Sequence, residues 1–233
     1  LGNAKNYGRA FGSEGNDIID ASEANNVKRI HGDSGDDTLT GTSSGDHISG
    51  GSENDLINAG DGDNHVYGDD GDDTITSGSG DDRLYGGEGD DSITSGSGGN
   101  DQFYGEGGND TLTSGSGNDI IYGGEGNDQI TTTGGDNELF GDDGDDVIIS
   151  GGGEDNIQGG EGDDQITGGG GNDTIYGENN SSGKSDDGSI DIAVFSGKSS
   201  DYRVSRATDL TFDYVYYIQD ERDGSPDGLD TLY

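Results

Sequence analysis

One nine-residue phrase recurs 18 times between residues 12 and 176, and its clearest copies read GDDGDDTIT from Gly68 and GGEGNDQIT from Gly123. A single phrase is too short to bury an apolar face, so it must lean on copies of itself, which restricts the fold to a stacked, quasi-one-dimensional array. The eighth position is Ile19, Ile30, Leu39, Ile48, Ile57, Val66, Ile75, Leu84, Ile93, Phe103, Leu112, Ile121, Ile130, Leu139, Ile148, Ile157, Ile166 and Ile175, and every one is large and apolar. The sixth position is aspartate in 15 phrases and the fourth is glycine in 15. Two spacings break the period: Ile19 to Ile30 is eleven residues and Ile93 to Phe103 is ten.

Alternate phrases differ, so the true unit is two phrases, as in GDDGDDTITSGSGDDRLY. Each half of a turn reads as a Gly- and Asp-rich loop of about six residues followed by a strand of about three, whose middle side chain faces inward. Stacking such turns at about 4.8 Å makes two parallel sheets back to back, and about nine turns give a rod of roughly 43 Å. Strands this short, joined by glycine turns, leave no room for helices. The expected fold is all-β.

Composition taken alone argues against order. A formal charge of -41 with only 24% apolar residues is typical of disorder, which does not explain an aliphatic residue at every eighth position. Between Ile30 and Gly183 the only Lys or Arg is Arg83, so internal ion pairs cannot balance these carboxylates and positive charge must come from outside. An acidic surface repels nucleic acid and anionic lipid, leaving small cations or a basic partner surface as counterparts. The absence of Cys and Met excludes a disulfide frame and thiolate metal sites. No apolar stretch approaches membrane-spanning length, so no membrane span is expected. The chain starts at Leu1 without Met or a signal peptide, and both ends read as cuts from something longer.

The phrases GGEGNDQIT and GGEGDDQIT resemble the RTX nonapeptide, and the resemblance covers about 165 of the 233 residues. It implies a right-handed parallel β-roll with two nonapeptides per turn, loaded with calcium ions that sit between loops of successive turns. Calcium is a hard cation that takes six to eight oxygens, which carbonyls and carboxylates supply without nitrogen or sulfur. Glycine lets the loop backbone adopt positive φ and turn its carbonyls inward. Carried over, one edge of the roll binds metal through Asp17, Asp37, Asp55, Asp73, Asp91, Asp110, Asp128, Asp146 and Asp164, and the other through Asp46, Asp82, Asp101, Asp119, Asp155 and Asp173. About 14 ions would remove about 28 of the negative charges. Without them, burying the eighth-position side chains does not offset the entropy of ordering so much glycine, so folding should await calcium.

Several phrases depart from the pattern. Position six is Lys28, Asn64 and Asn137, all on the second edge, and position four is Asn26, Ser44 and Glu53. The early second-edge sites are therefore expected to be defective, and the first edge complete apart from the loop GGSEND.

Other features have ordinary readings. Position nine on one sheet runs Tyr67, Tyr85, Tyr104, Tyr122, Phe140, Gln158, Tyr176, an outward row explained by same-face stacking, with a sugar platform as the sharper alternative. Thr38 and Thr40, Thr74 and Thr76, and Thr111 and Thr113 flank inward residues on the other sheet; they are similar to the ladders of ice-binding solenoids, but Gln129, Ile149 and Gln165 interrupt them and outward Thr is common in strands. His47 and His65 share position seven in successive turns, with His31 nearby in sequence, and read as exposed histidines before a metal pair. No HExxH, GxSxG or P-loop pattern occurs, and cation ligation already explains the acidic pairs, so no enzyme activity is expected.

Residues 1–11 read as a lead-in, 12–176 as the array, 177–190 as a polar linker and 191–233 as a capping segment. The tail gathers Phe195, Tyr202, Phe212, Tyr214, Tyr216, Tyr217 and Tyr233 with Lys198, Arg203, Arg206 and Arg222, and reads as a few strands, around DYRVS and from Phe212 to Ile218, before the chain's one Pro. DIAVFSGKSSDYRV and DERDGSPDGLDTLY resemble the segment that follows RTX arrays in type I secreted proteins of Gram-negative bacteria, where it caps the last turn and precedes the secretion signal. The resemblance implies an extracellular, calcium-folded module exported by type I secretion machinery, serving as a rigid extension of a secreted or surface-held protein such as an adhesin that meets a host or substratum surface. The alternative is the non-catalytic module of a secreted metalloprotease, lipase, alginate epimerase or cytolysin.

Overall fold

The computed structural model describes residues 8–24, 27–178, 192–194, 202–207, 215–220 and 229–232. Among these residues there are strands and turns and no helix. The chain winds as a parallel β-solenoid whose turns alternate between two sheets. One sheet takes strands such as His65–Asp70, Arg83–Glu88 and Gln102–Gly107, and the other takes Thr74–Thr76, Ser92–Thr94 and Thr111–Thr113. Register is one repeat per turn: Val66 pairs with Leu84 and Tyr67 with Tyr85 on the first sheet, Ile75 with Ile93 on the second.

The core is a single file of side chains between the sheets. From Ile30 to Ile175 every eighth-position residue is at most 1% exposed, whereas Ile19, in the first turn, is only partly buried. Strand alternation explains this, because the residues before and after each inward one must point out.

Two expectations change. The two sheets are not equivalent: strands of the second sheet have three residues, but those of the first have six from Arg9–Glu14 to Asn156–Glu161 and five at Thr174–Glu178, because pairing continues past position nine into the next loop, as in Tyr67↔Tyr85 followed by Asp69↔Gly87. The coil also starts earlier than residue 12. Arg9–Glu14 pairs in parallel with Arg29–Ser34, setting Ala10 against Ile30 in the inward place. Alanine there escaped a pattern search for large apolar residues.

The ten-residue spacing leaves the ladder intact, since Gln102 still pairs with Arg83 and Phe103 with Leu84. The extra residue is taken up in the preceding loop, where Gly98 (φ 84°) and Gly99 (φ 114°) stand consecutively in the left-handed region.

The tail extends both sheets. Ile192–Val194 pairs in parallel with Gln165–Thr167, while Leu229–Leu232 joins the last long strand through Thr174↔Thr231 and Ile175↔Leu232. Val215–Asp220 and Tyr202–Ala207 then add in antiparallel order. The run expected from Phe212 is a strand at Val215–Asp220. Linker residues 179–190, together with Phe195, Lys198, Phe212, Tyr214, Arg222, Pro226 and Tyr233, lie outside the described residues.

Candidate metal centre

The sixth-position aspartates of the first edge fall in one buried row at the bend that leads into each short strand. Asp73 is typical: 1% exposed, it accepts a hydrogen bond through Oδ1 from the Asp55 amide (2.7 Å), while its own amide donates to Asp91 Oδ1 (2.7 Å). The same link joins Asp17 to Asp37, Asp37 to Asp55, Asp91 to Asp110, Asp110 to Asp128, Asp128 to Asp146 and Asp146 to Asp164, at 2.7 to 2.9 Å. All nine first-edge aspartates named from the sequence thus stand in one continuous ladder.

That ladder uses only one oxygen of each carboxylate. Oδ2 of Asp37, Asp55, Asp73, Asp91, Asp110, Asp128 and Asp146 is buried and accepts no hydrogen bond. Such an atom carries the desolvation penalty of a lone acceptor, or of a charge, unless a cation meets it. Burial, assisted by neighbouring carboxylates, accordingly pushes Asp73, Asp91 and Asp128 up to about 7 and Asp146 up to about 8. Space for the carboxylate comes from the glycine that opens each first-edge loop. A Cβ built on Gly68 would lie 2.1 Å from Asp73 Oδ2.

Position five forms a second, outer ladder of opposite sense, which the sequence reading missed. The Asp90 amide donates to Asp72 Oδ1 (3.0 Å), the Asn109 amide to Asp90 Oδ1 (2.7 Å) and the Asn127 amide to Asn109 Oδ1 (2.9 Å). A signal was present: on this edge position five is always Asp or Asn, from Asn16 to Asp163. Asp and Asn are common in turns for purely local reasons, which masks such a row. The two ladders tie each loop to the turn on either side.

Glu53, flagged as a departure, is accommodated. It holds φ 72° at the position where its neighbours have glycine, and its Oε2 accepts from the Gly35 amide at 2.9 Å.

The second edge differs in chemistry. Asp46, Asp82, Asp101, Asp119, Asp155 and Asp173 stand in a ladder with Asn64 and Asn137, which continue it through Oδ1 bonds to the Asp46 and Asp119 amides, both 3.0 Å. Here hydroxyls reach the carboxylates: Ser150 Oγ lies 2.5 Å from Asp155 Oδ2, and both the amide and the hydroxyl of Thr42 meet Asp46 Oδ2. Burial raises Asp82, Asp119 and Asp155; the Ser150 hydroxyl opposes it at Asp155, whereas Oδ2 of Asp82 and of Asp119 is buried without a hydrogen bond, as on the first edge.

These donors fit calcium. Among the described residues no three His, Cys, Asp or Glu side chains converge on one point, so a cation at these bends would take many of its oxygens from loop carbonyls and the rest from one or two carboxylates. Position four stands in the left-handed region, as at Gly71 (φ 130°) and Gly89 (φ 129°), the conformation a carbonyl-lined bend needs. The first-edge Oδ2 atoms from Asp37 to Asp146 then supply charge and an oxygen that accepts no hydrogen bond.

The remaining candidates join a different feature. Tyr67, Tyr85, Tyr104, Tyr122 and Phe140 stack ring on ring at 4.6 to 5.3 Å with planes within 13°. Ring faces therefore cover one another along the row, the same-face stacking expected from the sequence. His65 stacks on Tyr67 and its ring nitrogen lies 2.7 Å from the Tyr67 hydroxyl; His47 meets the ring of His65 edge-on at 5.3 Å. Both histidines are held below their ordinary range, first by burial.

No helix among the described residues is long and apolar enough to cross a membrane. No curated protein matches the chain. The family model described as RTX calcium-binding nonapeptide repeat (4 copies) matches residues 9–27, 31–66, 40–75, 67–98, 95–130, 122–156 and 149–181. A parallel solenoid with two phrases per turn, bends lined by carboxylates, and this match across most of its length make the chain a member of the RTX calcium-binding nonapeptide repeat family, a calcium-binding β-roll.

Proposed function

We propose that this β-roll is a non-enzymatic folding and extension module of a secreted or cell-surface bacterial protein such as an adhesin, passed unfolded through type I secretion machinery and ordered by extracellular calcium. The observation that supports this most is the first-edge row of buried Oδ2 atoms without a hydrogen bond, in a chain of formal charge -41. In calcium-poor cytosol that row keeps the chain expanded through desolvation and mutual repulsion. Where calcium reaches about 1 mM, at the upper end of the roughly 0.1 to 1 mM dissociation constants of extracellular calcium modules, binding at many sites together offsets both terms. The module then becomes a rod whose Tyr and Thr faces flank its loaded edges. Folding outside biases movement outward and leaves a stiff spacer that can hold a neighbouring domain toward a host or substratum surface.

Calcium titration with a magnesium control, followed together by far-UV circular dichroism and native mass, tests the reading. The expected result is a cooperative gain of β signal with uptake of many calcium ions and little response to magnesium. Full β signal in chelator at pH 7.5 would overturn it.

A further inference from the structure

The three second-edge loops that lack the sixth-position aspartate are not merely deficient. In each, the position-six side chain brings a nitrogen to loop oxygens, of its own bend for Asn64 and Asn137 and of the next second-edge bend for Lys28. Asn64 Nδ2 donates to the carbonyls of Gly60 (3.0 Å) and Gly62 (2.8 Å), which spends both of its protons on its own loop. Asn137 Nδ2 donates to the Gly135 carbonyl and to Thr132 Oγ1, both at 3.1 Å. Both amides are buried, at 3% and 1% exposure, and both keep Oδ1 in the ladder. Lys28 reaches one turn onward: its Nζ lies 2.5 Å from Ser44 Oγ, 3.1 Å from the Gly45 carbonyl and 4.0 Å from Asp46 Oδ1.

We infer that Lys28, Asn64 and Asn137 are built-in substitutes for calcium, their nitrogens satisfying loop oxygens that elsewhere on the coil serve a metal ion. The inference rests on the calcium-binding reading of the bends and concerns which bends bind. A carbonyl-lined bend can be satisfied by a cation or by N–H donors, and an amide offers two N–H donors where a carboxylate offers none. Lys28 supplies a full positive charge beside Asp46 without any metal. Asn64 and Asn137 remove the buried position-six charge instead, so nothing at that position needs neutralisation.

The substitution divides the two edges. The first edge has eight intervals bounded by aspartate on both sides, whereas the second has three, Asp82 to Asp101, Asp101 to Asp119 and Asp155 to Asp173. The ion count therefore falls from about 14 to about 11, with the deficit wholly on one edge. Asn64 and Asn137 lie four turns apart, so metal-independent bends recur along the second edge, and Lys28 places another in the first full turn. Such bends can hold their register before calcium arrives.

Native mass spectrometry of the full chain at saturating calcium, with far-UV circular dichroism to give the calcium midpoint, tests this on wild type, Asn64→Asp, Asn137→Asp and Lys28→Asp. Wild type should carry about 11 ions; each variant should gain at least one and need more calcium to fold. Wild-type loading at every interval on both edges, or counts unchanged in both Asn64→Asp and Asn137→Asp, would overturn the substitution while leaving calcium binding intact. A wild-type chain that folds and binds no calcium would overturn both readings. Should one variant fail to fold even in calcium, the wild-type count and the other asparagine variant still decide.

Discussion

Acid should replace part of what calcium does for this chain. In the metal-free fold burial is the largest cause of raised carboxyls, pushing Asp55, Asp101 and Asp110 up to about 6, Asp73, Asp91 and Asp128 up to about 7 and Asp146 up to about 8. In the unfolded chain each returns to about 3.9. Well below about pH 4 both states hold these protons and burial of the carboxyls carries no ionisation penalty. Between about pH 4 and 8 the folded state binds more protons than the unfolded one, so each rise in pH destabilises it, and above about pH 8 the penalty is complete. At pH 5 these seven groups together take up about six protons on folding. A chelated sample should therefore gain β signal in far-UV circular dichroism as pH falls from 8 to 5, and calcium added at pH 6 should release protons measurable in a weakly buffered cell. Equal disorder at pH 5 and pH 8 in chelator, with no proton release on calcium binding, would refute the buried-carboxylate argument.

Two substitutions probe the rest of the coil. Gly87→Ala should destabilise by more than about 1 kcal/mol and raise the calcium midpoint, because the residue holds φ 119° and a Cβ would lie 1.8 Å from the Asp69 carbonyl oxygen; a calcium titration unchanged from wild type would contradict this. Tyr104→Ala removes two stacked neighbours, Tyr85 at 4.6 Å and Tyr122 at 5.3 Å, and should cost about 1 to 3 kcal/mol in thermal unfolding at fixed calcium while the ion count by mass stays the same.

The array's order was legible because a period of nine fixes which residue points inward. Once Ile75, Leu84 and Ile93 recur at one phase, strand alternation and stacking follow without any tertiary information. The sixth-position aspartates were legible for the same reason, and the structure places them together in two rows. Three things were not. Ala10 extends the coil by a strand, and a small inward residue carries no pattern signal at a chain end. The unequal strand lengths depend on whether loop amides find partners one turn away, as Asp69 and Gly87 do, and a linear sequence does not display contacts across 18 residues. Position two shows the limit best: Asp33, Gly51, Asp69, Gly87, Glu106, Gly124, Asp142 and Gly160 all have positive φ, alternately acidic and glycine.

By itself, the sequence determined an all-β stack with a one-residue-wide core and a surplus of carboxylates that demands cations, since periodicity and charge are properties of the chain before it folds. Only the tertiary structure decided which oxygen of each aspartate is spent on the backbone and which is not. It also decided that the nitrogens of Lys28, Asn64 and Asn137 reach loop oxygens at the second-edge bends. Hydrogen-bond accounting is settled between turns, where residues about 18 apart in the chain become neighbours.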